Sequence, residues 1–307
     1  MPRRSALYLA AGSVCLLAAM LVERMPASHA SASRHSRFDA GSGNWPRAMV
    51  WAWERPEDLR SLDPQKVGVA FLARTIYVRP SPNGGREALD RDVVLRPRFQ
   101  PLLVSPGTAL MAVVRIETGE WLRPENLLAS GGSSLAGERQ RYSAEQRTRI
   151  AAMIADAARL PGVRAVQIDF DATVQERGFY RELLVEVRRL LPSTMPLSIT
   201  ALASWCMGDP WLDELPPGTI DEAVPMLFRM GPDAGNVAQF VLSGEQFRAP
   251  ACRGSVGVSH DEPLSLALLK RLSQNPAARS GGPRIYLFGG RVWTQQGVEL
   301  PLVKPSW

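Results

Sequence analysis

The segment Val163–Asp171, with the sequence VRAVQIDFD, indicates the fold. Successive side chains of a β-strand point to opposite faces. One face of this segment is wholly apolar: Val166, Ile168 and Phe170. The other face carries three polar side chains toward its C-terminal end: Gln167, Asp169 and Asp171. A strand of this kind is typical of a barrel, in which one face packs on helices and the other lines the interior.

Seven further short apolar runs of strand length accompany this segment. They are Met49–Trp53, Val67–Ala73, Leu110–Ile116, Leu197–Ala203, Glu222–Phe228, Gly254–Ser259 and Arg284–Phe288. Helical patterns separate most of them, and the clearest, Ser143–Leu160, opens with a Ser143/Gln146 capping box. Strands alternating with helices predict a parallel sheet. Eight such units in one domain predict an α/β fold, an irregular (β/α)8 TIM-like barrel.

Two connections depart from regular strand–helix alternation. Thr75–Gly107 is rich in Pro, Gly and β-branched residues, which predicts an extended excursion such as a hairpin in place of a helix. Glu117–Arg141 has no clear periodicity and predicts a long loop after the third strand. Long ordered loops in compact domains usually carry function.

The first thirty residues predict export. Arg3 and Arg4 precede an apolar run, and Ser28-His29-Ala30 provides a small-x-small cleavage pattern. We therefore expect residues 1–30 to be a signal peptide, 31–46 a flexible lead-in and 47–307 the barrel domain. An uncleaved inner-membrane anchor is the alternative, since the run approaches the ~20 residues that span a bilayer. Either form places the domain in the periplasm or outside the cell.

Composition narrows the partners. The formal charge of +6 falls to +4 without residues 1–30, and no basic run interleaved with aromatics indicates nucleic-acid binding. Outside residues 1–46, His260 is the one histidine, which makes a histidine-based zinc site improbable. No nucleotide-binding glycine motif stands in a suitable context. We expect a polysaccharide or oligosaccharide partner, with no metal or cofactor.

Cys206 and Cys252 are the two cysteines outside the leader. The predicted strands place Cys206 beyond the C-terminal end of the fifth strand and Cys252 before the N-terminal end of the seventh. A strand of ~6 residues separates these levels by roughly 20 Å. Because a disulfide tolerates Cα atoms at most ~7 Å apart, we expect the two cysteines to be unbonded.

Three acids are the candidate catalytic residues: Asp169, Asp171 and Glu117. Two inward carboxylates two residues apart repel each other, which raises one pKa as acid–base catalysis often requires. Arg115 shares the face of Glu117 and is expected to pair with Asp169. Loss of Asp169 would then leave Arg115 without its counter-charge and destabilise the fold. The alternative is a purely structural acid pair.

Aromatic and polar residues near other strand ends are the candidate substrate-binding residues. They are Trp53, Glu54, Arg115, Gln167, Trp205, Arg229, His260 and Trp293. Tryptophan faces at a barrel mouth suit sugar rings, whose hydroxyls meet carboxylates and arginines. The alternative for any single tryptophan is core packing.

Long motifs in this chain resemble a bacterial family, domain-of-unknown-function family 3142. They include WAWERPEDL at 51–59, GVAFLA at 68–73, VVRIE at 113–117, QIDFDA at 167–172 and DEAVPMLFRMG at 221–231. The resemblance covers most of the chain after the leader. It implies no activity by itself.

A more distant resemblance is to glycoside hydrolase family 18, whose fourth strand carries DxxDxDxE. Asp169 and Asp171 match the middle and last Asp, but Val166 replaces the first Asp and Thr173 replaces the Glu. Phe228 stands where the family has a tyrosine. The resemblance implies a carbohydrate pocket in which a different acid, such as Glu117, Glu54 or Glu262, serves as proton donor.

Together these patterns predict an exported glycosidase-like barrel that acts on or binds an envelope or extracellular polysaccharide. A non-catalytic glycan-binding protein and an envelope scaffold are the alternatives. Release of products from a bound glycan separates the first from the second, and a protein partner without glycan binding indicates the third.

Overall fold

The computed structural model describes residues 37–40, 45–81, 86–118, 142–273, 283–290 and 293. All of them belong to one compact unit, His35–Trp307. The predicted signal peptide and most of the loop at Glu117–Arg141 lie outside the described residues. Within the described part of the chain, no helix has the length and apolarity needed to cross a bilayer.

The described chain contains eleven strands and seven α-helices. The strands are β1 (Ala48–Ala52), β2 (Glu57–Asp58), β3 (Val67–Val78), β4 (Val93–Pro97), β5 (Leu102–Leu103), β6 (Leu110–Thr118), β7 (Val163–Asp169), β8 (Leu197–Leu202), β9 (Glu222–Met226), β10 (Ser255–Ser259) and β11 (Arg284–Phe288). The helices are α1 (Arg37–Ala40), α2 (Arg86–Asp92), α3 (Ala144–Ala157), α4 (Arg177–Leu190), α5 (Ala203–Met207), α6 (Ala234–Ser243) and α7 (Pro263–Ser273).

Eight parallel strands close into a barrel, in the order β1, β3, β6, β7, β8, β9, β10, β11. Ala48 of β1 pairs with Val67 of β3 on one side and with Ile285 of β11 on the other, which closes the sheet. All eight predicted strands are present. The predicted fold class, a (β/α)8 TIM-like barrel, is therefore confirmed.

The irregular part of the barrel follows β3. This strand continues to Val78, well beyond its predicted end at Ala73, and pairs antiparallel with β4. Helix α2 joins the two strands, and β2 and β5 form a separate two-stranded sheet. The predicted extended excursion is confirmed, with a short helix that was not predicted.

Two apolar clusters hold the barrel together. The outer cluster lies between strands and helices and includes Ile168 of β7, Phe170 directly after that strand, and Leu183 of α4. The inner cluster fills the barrel with large side chains such as Trp51 and Met111. Full burial of one such side chain contributes about 1.5–3 kcal/mol. The two faces of β7 thus separate as alternation predicts. Helix α3 begins with the predicted Ser143/Gln146 capping box.

A buried polar network fills the N-terminal end of the barrel. Glu222 accepts hydrogen bonds from Arg284 at 2.6 Å, Tyr286 at 2.6 Å and Ser198 at 2.9 Å. Gln167 donates to Ser198 at 2.8 Å and is fully buried. Gln167 was predicted to bind substrate. It lies instead in this network, two residues before Asp169 on the same face of β7 and out of reach of a ligand. The prediction is therefore wrong.

Residues of the predicted lead-in cover the same end of the barrel. Phe38 and Trp45 are buried in the inner cluster. The Arg284 guanidinium lies 4.5 Å from the ring centroid of Phe38 and 5.9 Å from that of Trp45. Cation–π contacts of this kind favour a guanidinium that is shielded from water. These two aromatic residues are therefore part of the folded domain.

The expectation for the cysteines is wrong, because Cys206 and Cys252 form a disulfide with Cα atoms 5.8 Å apart. Cys206 lies in α5, and Cys252 ends a 3-10 turn at Pro250–Cys252. Both elements pack against β9. The estimate from strand levels assumed that the chain continues upward from β8, whereas it turns into a helix beside the neighbouring strand.

Candidate functional site

The C-terminal end of the barrel opens into a cleft. A cavity of about 240 Å³ lies there, and a neighbouring cavity of about 460 Å³ shares Arg115, Asp169 and Asp171 with it. The first is lined by Trp53, Arg115, Asp169, Asp171, Leu202, Ala203, Ser204, Met226, Phe228, Arg229, Met230, Asp233, Val237 and Phe288. Active sites of TIM-barrel enzymes occupy this end.

Asp169 is the buried acid of the cleft. Its Oδ1 accepts a hydrogen bond from Thr200 Oγ1 at 2.8 Å, and its Oδ2 lies 3.8 Å from Arg115 Nη1. Burial, and to a smaller extent the charge of Asp171, raises the pKa of Asp169 to about 6, against the opposing effects of Arg115 and Thr200. This carboxyl can therefore change its protonation state near neutral pH.

Asp171 is the accessible acid. It follows the end of β7 and is exposed, whereas Asp169 is buried. Partial loss of solvation at the base of the cleft raises the pKa of Asp171, and the charge of Arg115 opposes this rise. A ligand in the cleft would meet Asp171 before Asp169.

Arg115 links the acids to the aromatic wall. Its Nε lies 2.9 Å from Glu117 Oε1, and its guanidinium lies 6.0 Å from the ring centroid of Trp53. Glu117 lines the second cavity, in an ion pair that suits charge balance better than proton donation. Because Arg115 keeps Glu117 as a partner, loss of Asp169 does not leave it unpaired. We therefore expect loss of Asp169 to destabilise the fold less than the sequence alone predicts.

Aromatic rings form one wall of the cleft. The ring centroids of Phe228 and Phe288 are 4.6 Å apart, and both residues line the cleft with Trp53. Fully buried Trp51 lies beneath them, 4.5 Å from Phe288 and 5.5 Å from Trp53. The barrel core thus continues into an apolar surface beside the acids, an arrangement that suits the C–H face of a sugar ring.

The first cavity brings together five predicted site residues, Trp53, Arg115, Asp169, Asp171 and Arg229, and the second cavity adds Glu117. Neither cavity includes Glu54 or His260 among its lining residues. Glu54 accepts a hydrogen bond from the Phe99 backbone N–H at 3.3 Å, and His260 lies beside Trp293. A direct binding role for these two finds no support in the cleft.

Trp205 and Trp293 are core residues rather than cleft residues. Trp205, on α5, is 1% exposed and packs edge-on against Trp211 at 4.8 Å. Trp293 is 5% exposed, and its Nε1 donates to the Trp51 carbonyl at 2.9 Å. For both, the core alternative is correct, because neither ring has a face available to a ligand.

Thr200 and Ser204 were missed by sequence reasoning. Thr200 supplies the hydrogen bond to Asp169, and Ser204 lines the cleft at the start of α5. Thr200 had a usable signal, since it shares the inward parity of Ser198 on β8. Ser204 had none, because its position depends on the turn from β8 into α5.

Glu176 does not replace the glutamate that family 18 carries at the position of Thr173. Glu176, three residues after Thr173, is 1% exposed and accepts hydrogen bonds from the Thr173 backbone and hydroxyl at 2.9 and 2.8 Å. Tyr142 donates to its other oxygen at 2.8 Å. Glu176 therefore caps the loop before α4. Among the described residues, no three His, Cys, Asp or Glu side chains cluster as metal ligands would.

Comparisons with known proteins give limited likeness. No protein-family model matches the chain, and a search of curated proteins finds no match. Among solved structures, the Bacillus cereus spore cortex-lytic enzyme SleL matches at 12% identity with a TM-score of 0.48, over 83% of this chain and 74% of that one. A GH113 beta-1,4-mannanase matches at 10% identity with a TM-score of 0.40, over 82% and 91% of the two chains. Likeness at this level carries no argument about activity, which rests on the site.

Proposed function

We propose that this protein is a glycosidase-like barrel that hydrolyses a polysaccharide of the cell envelope or the extracellular space. The observation that carries the proposal is the pair Asp169 and Asp171, whose pKa values are both raised, at the base of a cleft walled by aromatic rings. Glycoside hydrolysis requires two protonation states of neighbouring carboxyls around an oxocarbenium-like transition state. An aromatic wall gives the sugar ring a surface to stack on.

The two acids take different roles in this proposal. Exposed Asp171 acts as the base or nucleophile that meets the anomeric carbon. Asp169, with a pKa of about 6, supplies its proton to the leaving oxygen. The glycosidic C–O bond breaks and the leaving oxygen gains that proton. A water molecule then adds to the anomeric carbon and returns one proton to the acid pair, which restores the starting state. Glu117 and Arg115 balance the charge.

A non-catalytic glycan-binding protein is the second candidate. Two observations favour it: Thr173 occupies the position of the family 18 proton donor, and Glu117 is held in an ion pair with Arg115. Such a barrel would keep the aromatic wall and the acid cleft without turnover. The two candidates differ in a single measurable property, the release of shortened glycan.

We also propose that the protein is exported and belongs to domain-of-unknown-function family 3142. The leader pattern of residues 1–30 supports export. The buried disulfide between Cys206 and Cys252 supports it independently, because such bonds persist mainly in oxidising compartments. Mass spectrometry of protein from its native host tests whether the leader is removed and whether the disulfide is formed. Cysteines found reduced there would contradict export.

The experiment that tests the function compares three proteins on a panel of envelope and extracellular polysaccharides. Wild type is expected to release reducing ends from at least one glycan, and Asp171→Asn is expected to release none. Asp156→Asn is the matched control, since Asp156 lies on the exposed face of α3 in an ion pair with Arg159. Binding without release in wild type would favour the glycan-binding candidate, and neither binding nor release would refute both.

A further inference from the structure

Arg229 has an unusual backbone conformation. Among the described residues it is the one non-glycine residue with a positive φ, at 49°. Long side chains adopt this left-handed region at a cost in free energy, and such outliers collect at functional sites. The fold therefore tolerates a strained residue three positions after the end of β9, where the chain borders the cleft.

Neighbouring groups hold this strained turn in place. Both carboxylate oxygens of Glu262 accept a hydrogen bond from the Arg229 backbone N–H, at 3.2 Å each. Leu227 N–H donates to the Gly257 carbonyl at 2.8 Å, which fixes the chain just before the turn. These contacts use the backbone of Arg229 and leave its side chain available.

The guanidinium of Arg229 has no direct partner within the described part of the chain. The residue is exposed, and no ion pair or side-chain hydrogen bond joins its guanidinium to any other described residue. Arg115, the other arginine of the cleft, is by contrast held by Glu117 and faces Asp169. Among the described residues, Arg229 is thus the arginine of the cleft whose guanidinium is not held by another side chain.

We infer that Arg229 binds an anionic substituent of the glycan, so that the substrate is an acidic polysaccharide. This inference rests on the proposed function and specifies its substrate class. A planar guanidinium fits a carboxylate, a sulfate ester or a phosphate ester in the same two-pronged geometry. Because Asp171 and Asp233 line the same cleft, an anionic group is repelled from them and attracted to Arg229. The positive charge of Arg229 and the negative charges of the two aspartates would together fix the direction in which the glycan chain lies in the cleft.

The test uses three anionic probes, each with its neutral parent. They are oligogalacturonate with its methyl ester, sulfated cellopentaose with cellopentaose, and phosphorylated mannopentaose with mannopentaose. Isothermal titration calorimetry of wild type is expected to show at least one anionic probe bound about tenfold more tightly than its parent, the effect of one charge-assisted contact. Arg229→Gln is expected to lose that preference and to keep the affinity for the parent.

Arg189→Gln is the matched control, because Arg189 is an exposed arginine near the C-terminal end of α4, in no ion pair with another described residue. It should keep the preference. Arg229→Gly separates function from folding: glycine adopts a positive φ without strain, so this variant should melt at the same or a higher temperature and still lose the preference. A lower melting temperature would show that the arginine is structural.

The outcomes distinguish this inference from the proposed function. Equal binding of anionic and neutral probes, lost in Asp171→Asn, would overturn the acidic substrate class and keep the glycan site. A preference for anionic probes that persists in Arg229→Gln would overturn the role of Arg229. Binding of no probe by wild type, together with no release of reducing ends from any polysaccharide, would refute the proposed function itself.

Discussion

The two ends of the barrel interior use the same kinds of residue in opposite ways. At the N-terminal end, Glu222 is surrounded by three donors within 2.9 Å and is covered by Phe38 and Trp45. At the C-terminal end, Asp169 has one donor at 2.8 Å and a guanidinium at 3.8 Å. Glu222 has a full set of hydrogen-bond donors within the fold, whereas Arg115 and Thr200 only partly offset the desolvation that raises the pKa of Asp169.

This difference teaches where chemistry can occur. A buried carboxylate with a full set of donors is a structural element, since breaking the set is costly and nothing can enter it. A carboxyl that is desolvated but incompletely paired, beside a cleft, is poised to exchange a proton. The two ends of the barrel should therefore respond differently to substitution.

Asp171→Asn should have the largest effect, and the effect should be on activity alone. Loss of the accessible carboxyl should lower turnover by about a hundredfold or more, the range of acid–base and nucleophilic contributions. The melting temperature should stay close to that of wild type, because Asp171 is exposed. Reducing-end assays and thermal melts check the two parts. A large fall in melting temperature would place Asp171 with the structural acids.

Glu222→Gln should have the largest effect on stability. The change leaves Arg284, whose side chain is 13% exposed, without its counter-charge, which costs up to about 3–5 kcal/mol of unfolding free energy. Urea denaturation measures it, with Glu182→Gln on α4 as an exposed-acid control. If Glu222→Gln left the stability unchanged, the polar network would not hold the N-terminal end of the barrel together.

Cys206→Ser should lower the stability of the protein and loosen α5, which forms part of the cleft at the C-terminal end of the barrel. The disulfide closes a separation of 46 residues and holds α5, which contributes Ala203 and Ser204 to the cleft. Its loss is expected to cost about 2–4 kcal/mol. Thermal melts with and without reductant check this. If reductant lowered the melting temperature of Cys206→Ser as much as that of wild type, the bond would not be the cause.

Asp169→Asn should behave opposite to Glu222→Gln. Because the folded-state pKa of Asp169 is raised to about 6, the wild type loses stability as pH rises from about 4 to about 6. The loss is roughly 3 kcal/mol, because the pKa of an aspartate in the unfolded chain is about 4. Asp169→Asn lacks this loss, so it should be as stable as wild type near pH 3 and equally or more stable at pH 7. Urea titrations at the two pH values measure it.

Thr200→Val should produce the smallest and most specific change. Thr200 donates the hydrogen bond that lowers the pKa of Asp169. Without it, the pKa of Asp169 should rise further, and the alkaline limb of the activity profile, where Asp169 loses its proton, should move to higher pH, with a stability change of about 1 kcal/mol at pH 7. Thr148→Val, at an exposed position of α3, is the control. An unchanged profile would mean that Asp169 does not set it.

The barrel itself was largely predictable from the sequence. Eight apolar runs of strand length and the parity of Val166, Ile168 and Phe170 define it, because alternation and burial act locally. The same parity placed Asp169, Asp171 and Arg115 at the mouth. The order of strands and their closure follow from parallel pairing of neighbours along the chain.

What could not be predicted depends on where the chain turns after a strand. The turn from β8 into α5 buries Trp205 and brings Cys206 beside Cys252, against the expectation from strand levels. Gln167 shows a related difficulty: parity gives its face, but its depth depends on where the polar network of Glu222 ends. The depth of a side chain in the barrel and the direction of the chain after a strand are set by tertiary packing. The periodicity of a single sequence gives no information about either.

The most direct test of the central claim is the titration of Asp169 itself. Carbon-13 NMR of the protein with labelled aspartate carboxyls, assigned through Asp169→Asn, gives its pKa in wild type and in Asp171→Asn. The account predicts a pKa of about 6 in wild type and a lower pKa in Asp171→Asn, because the charge of Asp171 raises it. An Asp169 that titrates near 4 in both proteins would contradict the account and leave the open end without a poised acid.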